Sequence, residues 1–182
     1  MIPDHERTAL LAVARGAIAR SLGAAPVASA EACTDRHKAG AFVTLHAHGA
    51  LRGCIGHVEA DRPLPDVVAS CAVSAASSDP RFPPLTSSEL PQLDIEISVM
   101  GPLEAVHSIG EIEVGRHGLL IERGWRRGVL LPQVAPEWGW DAATFVVQTC
   151  RKAGLPPTAW PDGGATLYRF EAEIFGEQPH NG

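Results

Sequence analysis

A chain of 182 residues is long enough to bury a real hydrophobic core and suits one compact domain carrying at most a small second lobe. A formal charge of −6 with a pI near 5.7 argues against a protein whose main task is neutralising a nucleic-acid backbone, and favours small polar ligands or protein partners. No apolar run approaches the roughly 20 residues of a membrane helix, so no membrane association is expected.

Cys33, Cys54, Cys71 and Cys150 are widely spaced, without the CxxC pairing of a structural zinc or thioredoxin-like site. Met1 is followed by Pro3, Asp4, His5, Glu6 and Arg7, which is no signal-peptide start. The expectation is a cytoplasmic protein with reduced thiols.

From Thr8 to Leu22, the residues Leu11, Ala14, Ile18 and Leu22 recur at helical spacing, and Gly23 supplies a stop. Ala24–Ala32, alanine-rich with Pro26, reads as a connecting loop. Ala41–Ala47 and Leu51–Val58 are strand-like runs separated by His48, Gly49 and Ala50, most simply a hairpin. Leu64–Ser77, with Val67, Val68, Cys71, Ala72, Ala75 and Ala76, suits a tightly packed helix ended by Asp79-Pro80.

Leu93, Ile95, Ile97 and Val99 alternate with Asp94, Glu96, Ser98 and Met100, the period of a strand with one face on a core. Gly118–Glu122 and Gly128–Leu131 flank the turn-like Arg123–Arg127 as a second hairpin. Asp141 caps a helix running through Ala153 with Gly154 as its end. Tyr168, Phe170, Ala172 and Ile174 mark a last strand before a polar tail at 179–182. Strands this closely spaced exclude a run of βαβ crossovers, so the expected fold is α+β, an α/β sandwich with a mostly antiparallel sheet.

The chemistry concentrates at Leu51-Arg52-Gly53-Cys54-Ile55-Gly56, where a thiol sits between glycines with an arginine two residues upstream. Glycines inside a strand mark a close approach of backbone to something else, and a substrate is one candidate. Cys54 is the candidate nucleophile, its thiolate favoured by a cation such as Arg52 or Arg81; a small packed core residue is the bland alternative.

The hairpin register decides what accompanies the thiol. A Gly49-Ala50 turn sets Leu45 opposite Cys54 with His46, His48 and His57 on the other face. A His48-Gly49-Ala50 turn brings His46 onto the face of Arg52 and Cys54. In the first of these registers His46, His48 and His57 could chelate a metal from one strand face, with solvent-exposed histidines as the alternative, and no metal or cofactor is called for. Asp79-Pro80-Arg81-Phe82 forms a stiff loop able to hold a charged pair in place. With Arg52 and backbone N–H groups, Arg81 could make an anion site. Arg123, Arg126 and Arg127 around Trp125 could stack a base and contact phosphate, although turns often carry such residues because they are solvated.

Leu51–Gly56, Asp79-Pro80-Arg81-Phe82-Pro83-Pro84-Leu85, Leu130-Leu131-Pro132-Gln133-Val134 and Cys150-Arg151-Lys152-Ala153-Gly154-Leu155, in that order, resemble the AMMECR-one family. Glu89-Leu90, Glu96-Ile97-Ser98, Trp140 and Trp160 also fall where its pattern expects them. The resemblance runs from the first helix to the last strand and implies a single domain, taken as 1–178, with a larger and a smaller lobe and the hexapeptide facing a cleft. It implies a role beside a Memo-like protein and a radical SAM enzyme, without carrying a settled reaction.

On that basis Cys54 and Glu96 are the candidate catalytic pair, Glu96 being either an ordinary exposed carboxylate or a general base. Arg52, Gly53, Gly56, Arg81 and Gln133 are the candidate contacts for a small polar or anionic ligand. Lys152 also suits a helix C-terminus without any catalytic role. The alternatives are a non-catalytic adaptor or ligand-binding module whose hexapeptide is structural, and an RNA-modification or RNA-binding component.

Overall fold

The computed structural model describes residues 1–24, 37–161 and 163–177. Most of the connecting stretch Ala24–Ala32, Cys33 and the tail 179–182 therefore lie outside the described residues. The chain divides into two compact units, Met1–Met100 with Glu173–Gly182, and Gly101–Ala172.

The first unit opens with helix α1, Asp4–Ser21. It begins four residues before the periodicity predicts, because Pro3 presets the entry and its carbonyl accepts from the N–H groups of Glu6 and Arg7, both at 3.0 Å. Asp4 and Glu6 place negative charge where the helix dipole favours it. The buried stripe is Leu10, Ala14, Ala17 and Ile18, with Leu11 only partly covered, one position off the predicted face. Glu173 receives the N–H of Ile2 and the Arg7 guanidinium, fastening the start of this helix to the returning C-terminal segment.

Strands β1 (Ala41–Ala47) and β2 (Ala50–His57) form the expected hairpin, and helix α2 (Leu64–Ser77) has the predicted bounds. Strand β3 (Leu93–Met100) pairs antiparallel with β1, giving the order β2-β1-β3. Beyond β3 the chain returns, and Glu177 N–H donates to the Ile95 carbonyl at 3.1 Å. Val43, Leu45, Ile95 and Ile97 join Leu10, Ile18, Val67 and Val68 in one core, so both helices cover the same face of these strands. α2 is lined by Cys71, Ala72, Ala75 and Ala76, whose small side chains let helix and sheet approach closely.

The second unit holds β4 (Glu104–Ala105), β5 (His117–Arg123), β6 (Arg126–Leu130), α3 (Val134–Glu137), α4 (Ala142–Lys152) and most of β7 (Thr166–Gly176), with β5 between β6 and β7. The β5–β6 turn is tighter than the expected five residues. Gly124, at φ 61°, and Trp125 alone connect Arg123 to Arg126. Asp141 accepts the Thr144 N–H at 2.8 Å as the N-cap of α4, and Gly154, at φ 67°, closes its far end. Leu119, Ile121, Phe145, Val146, Cys150 and Leu167 form this unit's core. The pairings β1–β2, β1–β3, β4–β7, β5–β6 and β5–β7 are all antiparallel, and the fold is α+β. No helix among the described residues is long and apolar enough to cross a membrane.

Candidate functional site around Cys54

The hairpin takes neither of the two registers open in the sequence. Its turn is His48-Gly49, with φ of 53° and 77°, the mirror-image turn that matches strand twist, and Ala47 faces Ala50. Between Leu45 and His46 the register then slips, because Arg52 is an extra residue on β2. Beyond this bulge Leu45 faces Gly53 and Thr44 faces Cys54, so the pairing at the thiol is that of the three-residue turn although the turn has two.

Thr44 also faces Glu96 on β3, which sets Cys54, Thr44 and Glu96 in one row across three strands. Two strand spacings, roughly 10 Å of backbone, separate the outer members. The Thr44 hydroxyl donates to the Cys54 sulfur at 3.4 Å. His46 lies on the same face of β1 as Thr44 but two residues further along, opposite Leu51. His48 meets Gln92 at 3.0 Å and His57 meets Asp61 at 2.7 Å. Among the described residues no cluster of three or more histidine, cysteine or acidic side chains is disposed to hold a metal.

The glycines have structural occupants. A Cβ on Gly53 would stand 2.2 Å from the Ala75 carbonyl oxygen, so the backbone of α2 fills the space a side chain would need. A Cβ on Gly56 would meet the Phe42 ring at 2.2 Å. This closeness of α2 to β2 has a direct effect on the site. Four residues after Ala75, just past the helix end, the buried Asp79 carboxylate arrives at the outer edge of β2 and accepts the Cys54 N–H at 2.9 Å. An edge-strand donor is thereby satisfied by a charge. With that N–H turned outward, Thr44 and Cys54 form a non-hydrogen-bonded pair, the kind whose side chains lie closest.

Asp79 also organises Arg81. One oxygen accepts the Arg81 backbone N–H and Nε, both at 3.0 Å, and the other accepts Nη2 at 2.7 Å. The guanidinium holds the Asp79 carboxyl far below the usual carboxylate range, with the Cys54 and Arg81 amides adding to it against the cost of burial. The Arg81 side chain is still half exposed, at 51%.

Arg52 is committed elsewhere. Its Nε donates to Glu89 at 2.9 Å and its Nη1 to the Pro83 carbonyl at 3.0 Å, and its side chain is only 14% exposed. Arg52 and Arg81 flank Phe82, their guanidinium carbons 5.9 and 5.5 Å from its ring centroid. The Arg52 guanidinium, followed by the N–H and hydroxyl of Thr86, lowers the Glu89 carboxyl to about 2.

The resulting environment does not favour a resting thiolate. Burial pushes the Cys54 thiol up; the Thr44 hydroxyl and Arg81 pull it down by less, and Asp79 and Glu96 push it up again. Cys71 and Cys150 are unpaired and buried, and burial raises Cys71 to about 11. Two residues from Glu96 on the same strand, the fully buried Ser98 has a hydroxyl with no hydrogen-bond partner. Gln133 belongs to the second unit, where its carbonyl starts α3 by accepting from Glu137 at 3.2 Å and its buried Oε1 has no hydrogen-bond partner.

The first unit thus brings Cys54, Arg81 and Glu96 to one region and turns Arg52 into a brace for the loop. Thr44, Asp79, Phe82 and Glu89 were not singled out as site residues by sequence reasoning. The Asp-x-Arg spacing carried a signal for Asp79, and Glu89 had only its place in the family pattern.

The AMMECR1 family model matches residues 11–175. A protein of Methanothermobacter thermautotrophicus is 52% identical over 148 residues, covering 78% of this chain and 77% of its own. Protein TK0174 of Thermococcus kodakarensis is 50% identical over 151 residues, covering 78% of this chain and 74% of its own. The crystal structure of the uncharacterized protein PH0010 from Pyrococcus horikoshii, 40% identical, superposes with a TM-score of 0.88 over 97% of this chain and 94% of that one.

Proposed function

The chain belongs to the AMMECR1 family, and within that family we propose that the Cys54 region binds and modifies a small polar or anionic ligand, Cys54 meeting it as a neutral thiol. The observation that carries this reading is the shared Asp79 carboxylate, which holds the Cys54 amide and the Arg81 guanidinium at once. Arg81, half exposed, is the cation available to an incoming anion; Arg52 keeps the loop under it in place. Glu96, in the row of Cys54 and Thr44, is the acceptor for a proton the thiol gives up on engaging its ligand. The reaction takes place in a reducing compartment, and the family resemblance adds a Memo-like protein and a radical SAM enzyme as its companions.

A second reading has its own observation. Gly53 is filled by Ala75 and Gly56 by Phe42, as expected where the hexapeptide is a packing motif in a non-catalytic adaptor.

Alkylation of Cys54 by iodoacetate and by iodoacetamide, followed by mass-spectrometric mapping, separates the two. On the first reading Arg81→Gln slows the anionic reagent several-fold more than the neutral one, and both rates rise at higher pH than for a free cysteine. Equal effects on the two reagents would leave the packing reading.

A further inference from the structure

A group of cations lies in the second unit, around the β5–β6 turn, away in sequence from the thiol hexapeptide. Trp125 stands at the tip with 88% of its surface exposed, although an indole ordinarily buries its large apolar area. The Arg126 guanidinium carbon lies 5.4 Å from the Trp125 ring centroid. Its Nη1 donates to the Gly154 carbonyl at 2.7 Å, which pins it to the last turn of α4. The reason the two segments meet is Gly128. A Cβ there would stand 2.5 Å from the Ala153 nitrogen, so β6 lies directly on the end of this helix.

That terminal turn carries Arg151 and Lys152, both exposed and neither paired with a carboxylate among the described residues. Of the other cations of the hairpin, Arg127 is paired with Glu122 at 3.1 Å and Arg123 donates to the Gly163 carbonyl at 2.8 Å. Among the described residues Arg126, Arg151 and Lys152 have no carboxylate partner, on a chain whose total charge is −6. The overall acidity that argues against a nucleic-acid partner therefore says nothing about this patch.

We infer that the Trp125–Arg126 tip with Arg151 and Lys152 is a binding surface for single-stranded nucleic acid. A base stacks on the exposed indole, and the backbone phosphates pair with the unneutralised cations. An open aromatic face beside a guanidinium fits a base next to its phosphate, and stacking needs no pocket because every base has a π-face. The surface does not depend on the Cys54 reading.

The test is fluorescence anisotropy of a labelled oligothymidylate of about 12 nucleotides, with unlabelled polyglutamate as competitor. Binding at low salt is expected in the range of about 10⁻⁴ to 10⁻⁶ M, with log K falling against log salt with a slope near −2, about 0.7 for each of Arg126, Arg151 and Lys152. Trp125→Ala should weaken it about 5- to 100-fold while Trp125→Phe restores most of the loss. Arg151→Gln with Lys152→Gln should make the slope shallower by about 1.4. These positions are exposed, so thermal melts should match the parent chain. No binding at about 50 mM salt, binding indifferent to Trp125→Ala, or polyglutamate competing as well as the oligonucleotide would each overturn the inference.

Discussion

Replacing Gly53 by alanine tests the link between helix packing and the thiol site most directly. The added Cβ would stand 2.2 Å from the Ala75 carbonyl oxygen and 3.1 Å from its carbonyl carbon, both backbone atoms of α2, so no side chain can turn away to make room. Strand and helix must separate by about 1 Å, and overpacking of this kind costs about 1–3 kcal/mol. The same movement withdraws Asp79 from the Cys54 N–H, now 2.9 Å away, loosening a charge-assisted bond of about 1.5–3 kcal/mol. Alanine restricts the unfolded chain and returns up to about 1 kcal/mol. The net loss is about 3 kcal/mol, a fall in Tm of about 6–12 °C for a chain of this size.

Gly56→Ala is the comparator, because its Cβ meets the Phe42 ring, a side chain able to swing, and the cost should be smaller. Circular-dichroism melts give the stabilities, and the Cys54 amide resonance reports the Asp79 bond. A Gly53→Ala protein melting within about 2 °C of the parent with an unmoved Cys54 amide would refute the reasoning.

Glu89→Gln should reveal the brace through pH. The Glu89 carboxyl is held at about 2 in the fold by Arg52 and Thr86, below its ordinary value near 4.5, so its contribution is full above that value and disappears as pH falls toward 2. The gap in urea midpoint between parent and variant should be constant above about pH 5 and close below it, whereas a gap that persists into acid would contradict the assignment. Asp141→Ala removes the cap that accepts the Thr144 N–H and should cost about 1 kcal/mol, or about 2–4 °C in Tm, without altering Cys54 alkylation.

The sequence discloses the elements better than their register. α2 is legible from its small apolar residues at helical spacing ahead of Asp79-Pro80, β3 from its alternation of apolar, mostly β-branched residues with polar ones, and α4 from the Asp141 cap and the Gly154 stop. The start of α1 was missed because a proline-led first turn carries no apolar stripe, and β4 and α3 are too short for periodicity to register. The hairpin shows where parity arguments fail. They assume unbroken pairing, and one bulged residue, Arg52, reverses what faces Cys54 without leaving any pattern in the hydrophobic alternation. The glycines mark points of close approach, but what approaches Gly53 is a helix 22 residues further along the chain, which no local pattern can name.

The division of labour at the site follows from how Asp79 is filled. A carboxylate offers about four lone-pair positions, and Asp79 has one donor at each: two from Arg81 on the first oxygen, and Cys54 with Arg81 Nη2 on the second. Protonating it would break up this set, and no position is left to receive a ligand. Asp79 therefore holds the site without taking part in proton transfer. Arg52 is likewise consumed by Glu89 and Pro83. What these two commitments leave open is Arg81, fixed through Nε and Nη2 yet half exposed, beside a thiol that burial keeps protonated. An arginine fastened on one edge of its fork, with no partner on the other edge among the described residues, is oriented for a planar anion in a way a lysine is not. On the proposed reading ligand recognition falls to Arg81 and proton acceptance to Glu96, and the glycine-flanked hexapeptide contributes by letting α2 come close enough to hold Asp79 and Arg81 in place.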